Sequence, residues 1–356
     1  MARQRIEWLD ALRGMAMVFV VMGHAMNMPA FARTLIYSFH MPLFFAISGA
    51  VFRVGKYRRL RECVADKART LLLPYLLLYL LNIPLWAISS GVLRDAWATP
   101  ADLALGLVSG CVLGAYSNQS LWFLPALFFV SVLFWCLAQL QEKLHVPLWL
   151  SMAALFCAGL AVNMLLPGGG ILHWRTVPMA TVFYYLGHVF LQKRTTVFKV
   201  LGYTPAAGAE EGAAPGKPSF KPWFAPLAIA LLALGMASAA FNGKISMMSN
   251  IYQNPAITML SACSTCTGLA MVTMALPKVK PLDYAGQNTL AFFGWHPQLL
   301  NILALCPVTG AVFGPNPWLA VAVVWVALYP LSAATAKLCP AMVGKRRAPK
   351  APAGNP

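Results

Sequence analysis

Six histidines and a handful of arginines hold most of the chemical possibilities of this 356-residue chain. Arg13 and His24 bracket one apolar run, with ten residues between them. Eleven helical steps of about 100° return the second side chain to within about 20° of the first. Both therefore share a helix face, about 16 Å apart along the axis. A neutral imidazole in an apolar cavity can act as general base, and an arginine can grip a phosphate. Arg13 alone reads as a boundary residue snorkelling to the interface. An intramembrane histidine on the same face gives the functional reading equal weight, because ionisable groups in a bilayer are costly.

His40 opens the next apolar run, in Ser38-Phe39-His40-Met41-Pro42. The short connection makes the two spans antiparallel neighbours, so His40 can approach His24. Ser48-Gly49 lies further along, where small residues favour close helix contact. His296 sits within another run, in Gly294-Trp295-His296-Pro297. His188 reads as structural, and His145 and His173 fall in loops without a signal. Arg53, Lys56, Arg58, Arg59, Arg61, Lys67 and Arg69 form a basic cluster. It suits anionic lipid or a phosphate-bearing cofactor. Eight cysteines give no framework. Cys263 and Cys266 have metal-site spacing but lie in an apolar run without partner ligands, so they are expected to pack, and no metal is expected. The chain has no Walker loop, no Gly-x-Ser-x-Gly and no dinucleotide fingerprint.

These residues must be positioned by membrane helices. The chain is 59% apolar and 10% charged, with a mean hydropathy of +0.66. An ordinary soluble domain is about 25% charged. A soluble enzyme, a disordered chain and a nucleic-acid-binding domain are excluded, and no nucleic acid partner is expected. The composition predicts an all-α polytopic membrane helix bundle of about ten transmembrane helices. They are expected at 11–29, 36–53, 71–90, 120–140, 146–166, 174–192, 223–242, 256–276, 288–306 and 318–338. An extra apolar piece at 103–114 is too short to span. The net charge is +17. With the N-terminus inside, 23 of the 27 Lys and Arg fall on inside segments and only Arg33, Arg94, Arg175 and Lys244 outside. Both termini are therefore expected to be cytoplasmic. Ala30-Phe31-Ala32 has the form of a leader-cleavage site, but Glu7, Asp10 and His24 interrupt the preceding run, and the first span is expected to be retained. Residues 1–342 read as one transmembrane domain, with 193–222 a flexible cytoplasmic linker and 343–356 a basic disordered tail.

The order of these residues resembles a known family. Leu9-Asp10-Ala11-Leu12-Arg13-Gly14, then His24, then Phe39-His40-Met41-Pro42-Leu43-Phe44-Phe45 and Ser48-Gly49 resemble the opening of the acyltransferase-3 family of integral membrane O-acyltransferases. The fucose 4-O-acetylase-like branch is most similar. Leu121-Trp122-Phe123-Leu124-Pro125 and Gly286-Gln287-Asn288-Thr289-Leu290, followed by His296, are similar to later family blocks. The resemblance implies ten or so helices, an acyl-CoA donor such as acetyl-CoA on the cytoplasmic side, and a glycan or glycolipid acceptor toward the outside of a bacterial inner membrane. It implies that Arg13 and His24 are catalytic. Asp10, His40, Ser48, Trp122, Asn288 and His296 become candidates for binding substrate or cofactor, with Arg58, Arg61, Lys67 and Arg69 facing the cofactor. The usual Arg-x-x-Arg before Leu-Leu-Pro is absent, although Arg58 and Arg61 keep that spacing upstream. Ala126 and Leu127 stand where some relatives carry a glutamate, so no carboxylate is assigned.

Two other classes compete. A transporter or flippase could use the same cationic cavity, but the spans lack central carboxylates and the chain lacks an internal repeat. A membrane scaffold predicts that replacing His24 leaves function intact. The sequence leaves the oligomeric state open.

Overall fold

The computed structural model describes residues 6–116, 118–166, 168–206 and 217–344. Helix α1 (Glu7–His24) is amphipathic in a particular way. Leu9, Leu12, Ala16 and Val20, with Met17 and Val21 beside them, are buried at the i, i+3, i+4 spacing of one helical face. Its first two turns carry Glu7, Asp10 and Arg13. Helix α2 (Ala30–Ala50) returns antiparallel after a five-residue connection.

Helix α3 (Leu60–Lys67) passes through a π turn at Ala68–Leu72 into α4 (Leu73–Trp86), and a second π turn follows at Ala87–Val92. The helix is thus continuous over Leu60–Val92, 33 residues. The expected span at 71–90 is the apolar part of this longer rod. Pro74 does not start a new helix, because the wider turn just before it absorbs the missing N–H donor. Helix α5 (Pro100–Ser109), capped reciprocally by Thr99 and Asp102, accounts for the short apolar piece. It folds back on α4, whose Tyr75 donates to the Leu107 carbonyl at 2.7 Å and Tyr79 to that of Leu103 at 2.9 Å.

Helices α6 (Phe123–Leu144), α7 (Leu148–Leu165) and α8 (Val177–Gln192) follow. Crossing of α2 by α8 depends on glycine. A Cβ at Gly49 would collide with the Tyr184 carbonyl, and one at Gly187 with the Ala46 carbonyl. This is the close contact expected for Ser48-Gly49. Segment 193–222 departs from a plain flexible linker. Helix α9 (Arg194–Leu201) leads to β1 (Tyr203–Thr204), which pairs antiparallel with β2 (Ser219–Phe220). Phe198, Tyr203, Phe220 and Phe224 stack in sequence, and Phe198 also meets Trp8 of α1. Buried aromatic area therefore orders both ends of the segment, while 207–216 lie outside the described residues.

The chain continues as α10 (Phe224–Asn242), α11 (Pro255–Ala275), α12 (Lys280–Gln287), α13 (Thr289–Leu305), α14 (Pro307–Phe313) and α15 (Pro317–Leu338). A last turn at Pro340–Val343 gives Val343 regular structure, and 345–356 of the expected tail lie outside the described residues.

All ten expected spans are helical, and the protein is an all-α polytopic membrane protein. Seven helices among the described residues are individually long and apolar enough to cross a bilayer, or eight if α13 and α14, bent by 97°, form one span. The shortfall from ten has local causes. Three charges sit on α1, and α8 has 16 residues, about 24 Å against a hydrocarbon core of about 30 Å. Basic segments gather at one end of the bundle. There Lys278 pairs with Glu7, Trp8 meets Phe190 and Phe198, and Gly344 lies beside Thr70.

Candidate functional site

Three imidazoles meet at the opposite end. His24 is the last residue of α1, at the end of the apolar run that Arg13 opens, and the helix stops there although the expected span continued to 29. Its Nδ1 lies 2.8 Å from the Val20 carbonyl. A carbonyl only accepts, so Nδ1 carries the proton and Nε2 is left as the ring's acceptor. His40 on α2 repeats the arrangement with the Ile36 carbonyl at 2.8 Å, and His296 on α13 with the Phe292 carbonyl at 3.1 Å. Each helix thus fixes the tautomer of its own histidine. The His24 and His296 rings stand edge to face, with centroids 5.0 Å apart. Tyr37 lies between the others, 6.4 Å from His24 and 5.1 Å from His40. The Nε2 of His296 is buried without a hydrogen-bond partner.

A cavity of about 120 Å³ opens in front of His24 and His40, with His296 behind His24. His24, Tyr37, His40, Trp122, Phe293 and the loop residues Ser246–Met248 line it, with Met41, Gln119 and Ser120 completing the wall. With Nδ1 committed to a helix carbonyl, the Nε2 of His24 and of His40 is the ring atom left to act as a base. Among the described residues, no three of His, Cys, Asp or Glu converge as metal ligands.

The remaining sequence-predicted residues fall elsewhere. Arg13 lies 3.5 Å from Asp10 on α1. Both sit at the crossing with α12, where a Cβ on Gly14 would strike the Leu282 carbonyl and one on Gly286 the Asp10 carbonyl. Asn288 caps the junction of α12 and α13, donating to the Tyr284 carbonyl at 2.9 Å. Ser48 bonds to the Phe44 carbonyl of its own helix at 2.8 Å. Arg58 and Arg61 are exposed, and the Lys67 ammonium lies 4.9 Å over the Phe52 ring. Arg69, in the first π turn, lines a second cavity of about 360 Å³ with Leu73 and the turn Leu338–Ala341. This cavity lies at the basic end.

Several lining residues carried no sequence signal. Tyr37 is three residues before His40 and so shares its helix face, a relation the spacing could have revealed. Ser246–Met248 come from a connecting loop that only tertiary structure brings to the rings. His173, read as an ordinary loop residue, is 2% exposed and lies 5.1 Å from the Trp122 ring.

A family model described as an acyltransferase domain, acyltransferase-3, matches residues 6–336. The chain belongs to the acyltransferase-3 family. It is a multi-pass membrane acyltransferase, and the matched region contains His24, His40 and His296, the whole lining of the imidazole cavity, and Arg69 and Leu73 of the second cavity. No curated protein matches the chain, and neither does any solved structure. In this acyltransferase the imidazole cavity and the Arg69 cavity occupy opposite ends of the bundle.

Proposed function

We propose that the protein is a membrane O-acyltransferase that moves an acetyl group from acetyl-CoA to a hydroxyl of a cell-surface or periplasmic glycan or glycolipid, in a bacterial inner membrane. The observation that carries this reading is that His24 and His40 line one small cavity, with the His296 ring packed against His24 and each ring's Nε2 left as an acceptor. His24 Nε2 takes the proton as the acceptor oxygen attacks the thioester carbonyl. The O–C bond forms, the C–S bond breaks, and the proton passes on to the departing thiolate. The imidazolium formed on the way is held by the Val20 carbonyl and by the negative end of α1, whose last residue is His24. Arg69 and its basic neighbours suit the phosphates of coenzyme A, and Arg13 stands between the two ends.

The test is alkali-labile acetyl on surface glycans in a deletion strain carrying either wild type or His24→Ala at equal membrane levels. Wild type is expected to restore acetylation. In proteoliposomes, His24→Ala should lower thiol release from acetyl-CoA by about 100- to 10,000-fold, the range for losing a general base. Unchanged acetyl in every strain would sink the glycan acceptor, and full rescue by His24→Ala would remove His24 from the chemistry.

A further inference from the structure

The imidazole cavity has a roof built from a separate piece of chain. Ser246, Met247 and Met248 line it from the loop between α10 and α11. Within that loop Ser246 and Ile251 exchange two backbone hydrogen bonds, at 2.8 and 2.9 Å. Three side chains from the α7–α8 side then grip its carbonyls. Thr176 donates to the Met247 carbonyl at 2.6 Å, and Asn163 donates to that of Asn250. The His173 ring sits between two carbonyls, with Nδ1 3.0 Å from Met248 and Nε2 2.8 Å from Gly110. Its single N–H can serve either one. Burial lowers the pKa of His173, which keeps the ring neutral. The chain bends hard to deliver this ring. Leu172 and His173 have φ of 53° and 58°, in the left-handed region that costs non-glycine residues energy. The same ring faces Trp122, which also lines the cavity.

Across from the roof, Ser120 presents a buried hydroxyl with no hydrogen-bond partner. The space of about 120 Å³ has room for several water-sized groups and is partly open. It has room for a hydroxyl-bearing fragment and a small acyl group. Two methionines give the roof an unbranched, adaptable wall.

Resting on the acyl-transfer reading above, we infer that the loop 244–253 is the acceptor-selecting roof of the His24 cavity, latched by His173 and Thr176. It lets a protruding hydroxyl of a polyol or sugar reach Ser120 and the imidazoles, and it keeps bulk water from competing for the thioester. His173 is a positioning residue, since it acts through the loop and Trp122.

The experiment compares wild type with His173→Leu, Thr176→Val and Met248→Ala, as full-length protein in lipid nanodiscs. Amide hydrogen exchange of the loop 244–253 reads the latch. Carbethoxylation of His24 by diethyl pyrocarbonate, relative to the exposed His145, reads access beneath the roof. Both latch variants should speed loop exchange at least tenfold and raise relative His24 modification at least fivefold. Met248→Ala should raise His24 modification while loop exchange stays as in wild type. Loop exchange that rises without any change at His24 would overturn the roof. Loop exchange unchanged in both latch variants would overturn the latch. Loss of the acyl-transfer reading shows separately, as wild-type protein that releases no thiol from acetyl-CoA. That result would overturn the acceptor role, while the labelling ratios still decide whether the loop covers His24.

Discussion

A histidine whose Nδ1 proton is committed to a carbonyl of its own helix keeps one defined task for the other nitrogen. His24, His40 and His296 all make that commitment, one turn back on α1, α2 and α13. The consequence is sharpest at His296. Its ring edge supports His24 at 5.0 Å, and its Nε2 is buried without a partner. An aromatic edge contact contributes about 0.5–1.5 kcal/mol, whereas an unpaired buried acceptor costs about 1–3 kcal/mol unless something fills it. That cost is tolerable if a substrate hydroxyl or a proton in transit occupies Nε2 during turnover. His296→Phe keeps a ring and removes the lone pair. It should fold normally and lower kcat for acetyl transfer by at least about 100-fold, in the general-base range rather than the packing range. Steady-state kinetics alongside a thermal unfolding midpoint would decide the matter. A His296→Phe enzyme with wild-type kcat would reduce His296 to a packing ring.

At the scale of elements, registry between helices sets where these side chains stand. The crossing of α1 and α12 is a reciprocal glycine contact, Gly14 on the Leu282 carbonyl and Gly286 on the Asp10 carbonyl. Backbone carbonyls cannot turn aside as a flexible side chain can, so one added methyl must push the helices apart. Overpacking of this kind costs about 1–3 kcal/mol. Gly14→Ala and Gly286→Ala should each lower the unfolding midpoint by several degrees and weaken activity, since Arg13 and Asp10 ride on the same crossing. Gly55→Ala, where an added Cβ meets nothing within 4 Å, should leave both unchanged. If Gly14→Ala matches Gly55→Ala in a thermal shift assay, the crossing is not constrained as described. Such element-level facts were partly legible in the residues. Apolar runs marked all ten helices, because a bilayer demands them. The face shared by Arg13 and His24 followed from helical period alone. By contrast, α1 ends at His24 because the chain turns at Ala25 and Met28, a loop decision with no periodic signature. His173 and Ser246–Met248 reach the cavity only through contacts between residues some 70 positions apart, which spacing in one sequence does not encode.

Across the whole molecule, the densest basic segments and the three clustered imidazoles stand at opposite ends. One end gathers the basic segments around a cavity of about 360 Å³ that Arg69 lines. The other holds the three imidazoles and about 120 Å³. A donor with phosphates at one end of a long arm and a thioester at the other suits this polarity. On the proposed acetyl-CoA reading, the phosphates would meet arginine and the thioester would be offered to His24. Arg69 should therefore act on the phosphate-bearing part of the donor and not on the reacting carbonyl. With acetyl-CoA, Arg69→Ala should raise KM about tenfold or more and leave kcat within about threefold. A charge-assisted hydrogen bond to phosphate contributes about 1.5–3 kcal/mol, and tenfold is about 1.4 kcal/mol. Arg69→Lys should fall between, since it retains the charge and loses the planar fork. Acetyl-pantetheine carries the same thioester without any phosphate. Against that donor, wild type and Arg69→Ala should show equal kcat/KM, while His24→Ala stays inactive with both donors. Equal sensitivity of the two donors to Arg69→Ala would mean that Arg69 supports the fold or the chemical step. In that case the division of labour between the two ends of the bundle would be wrong.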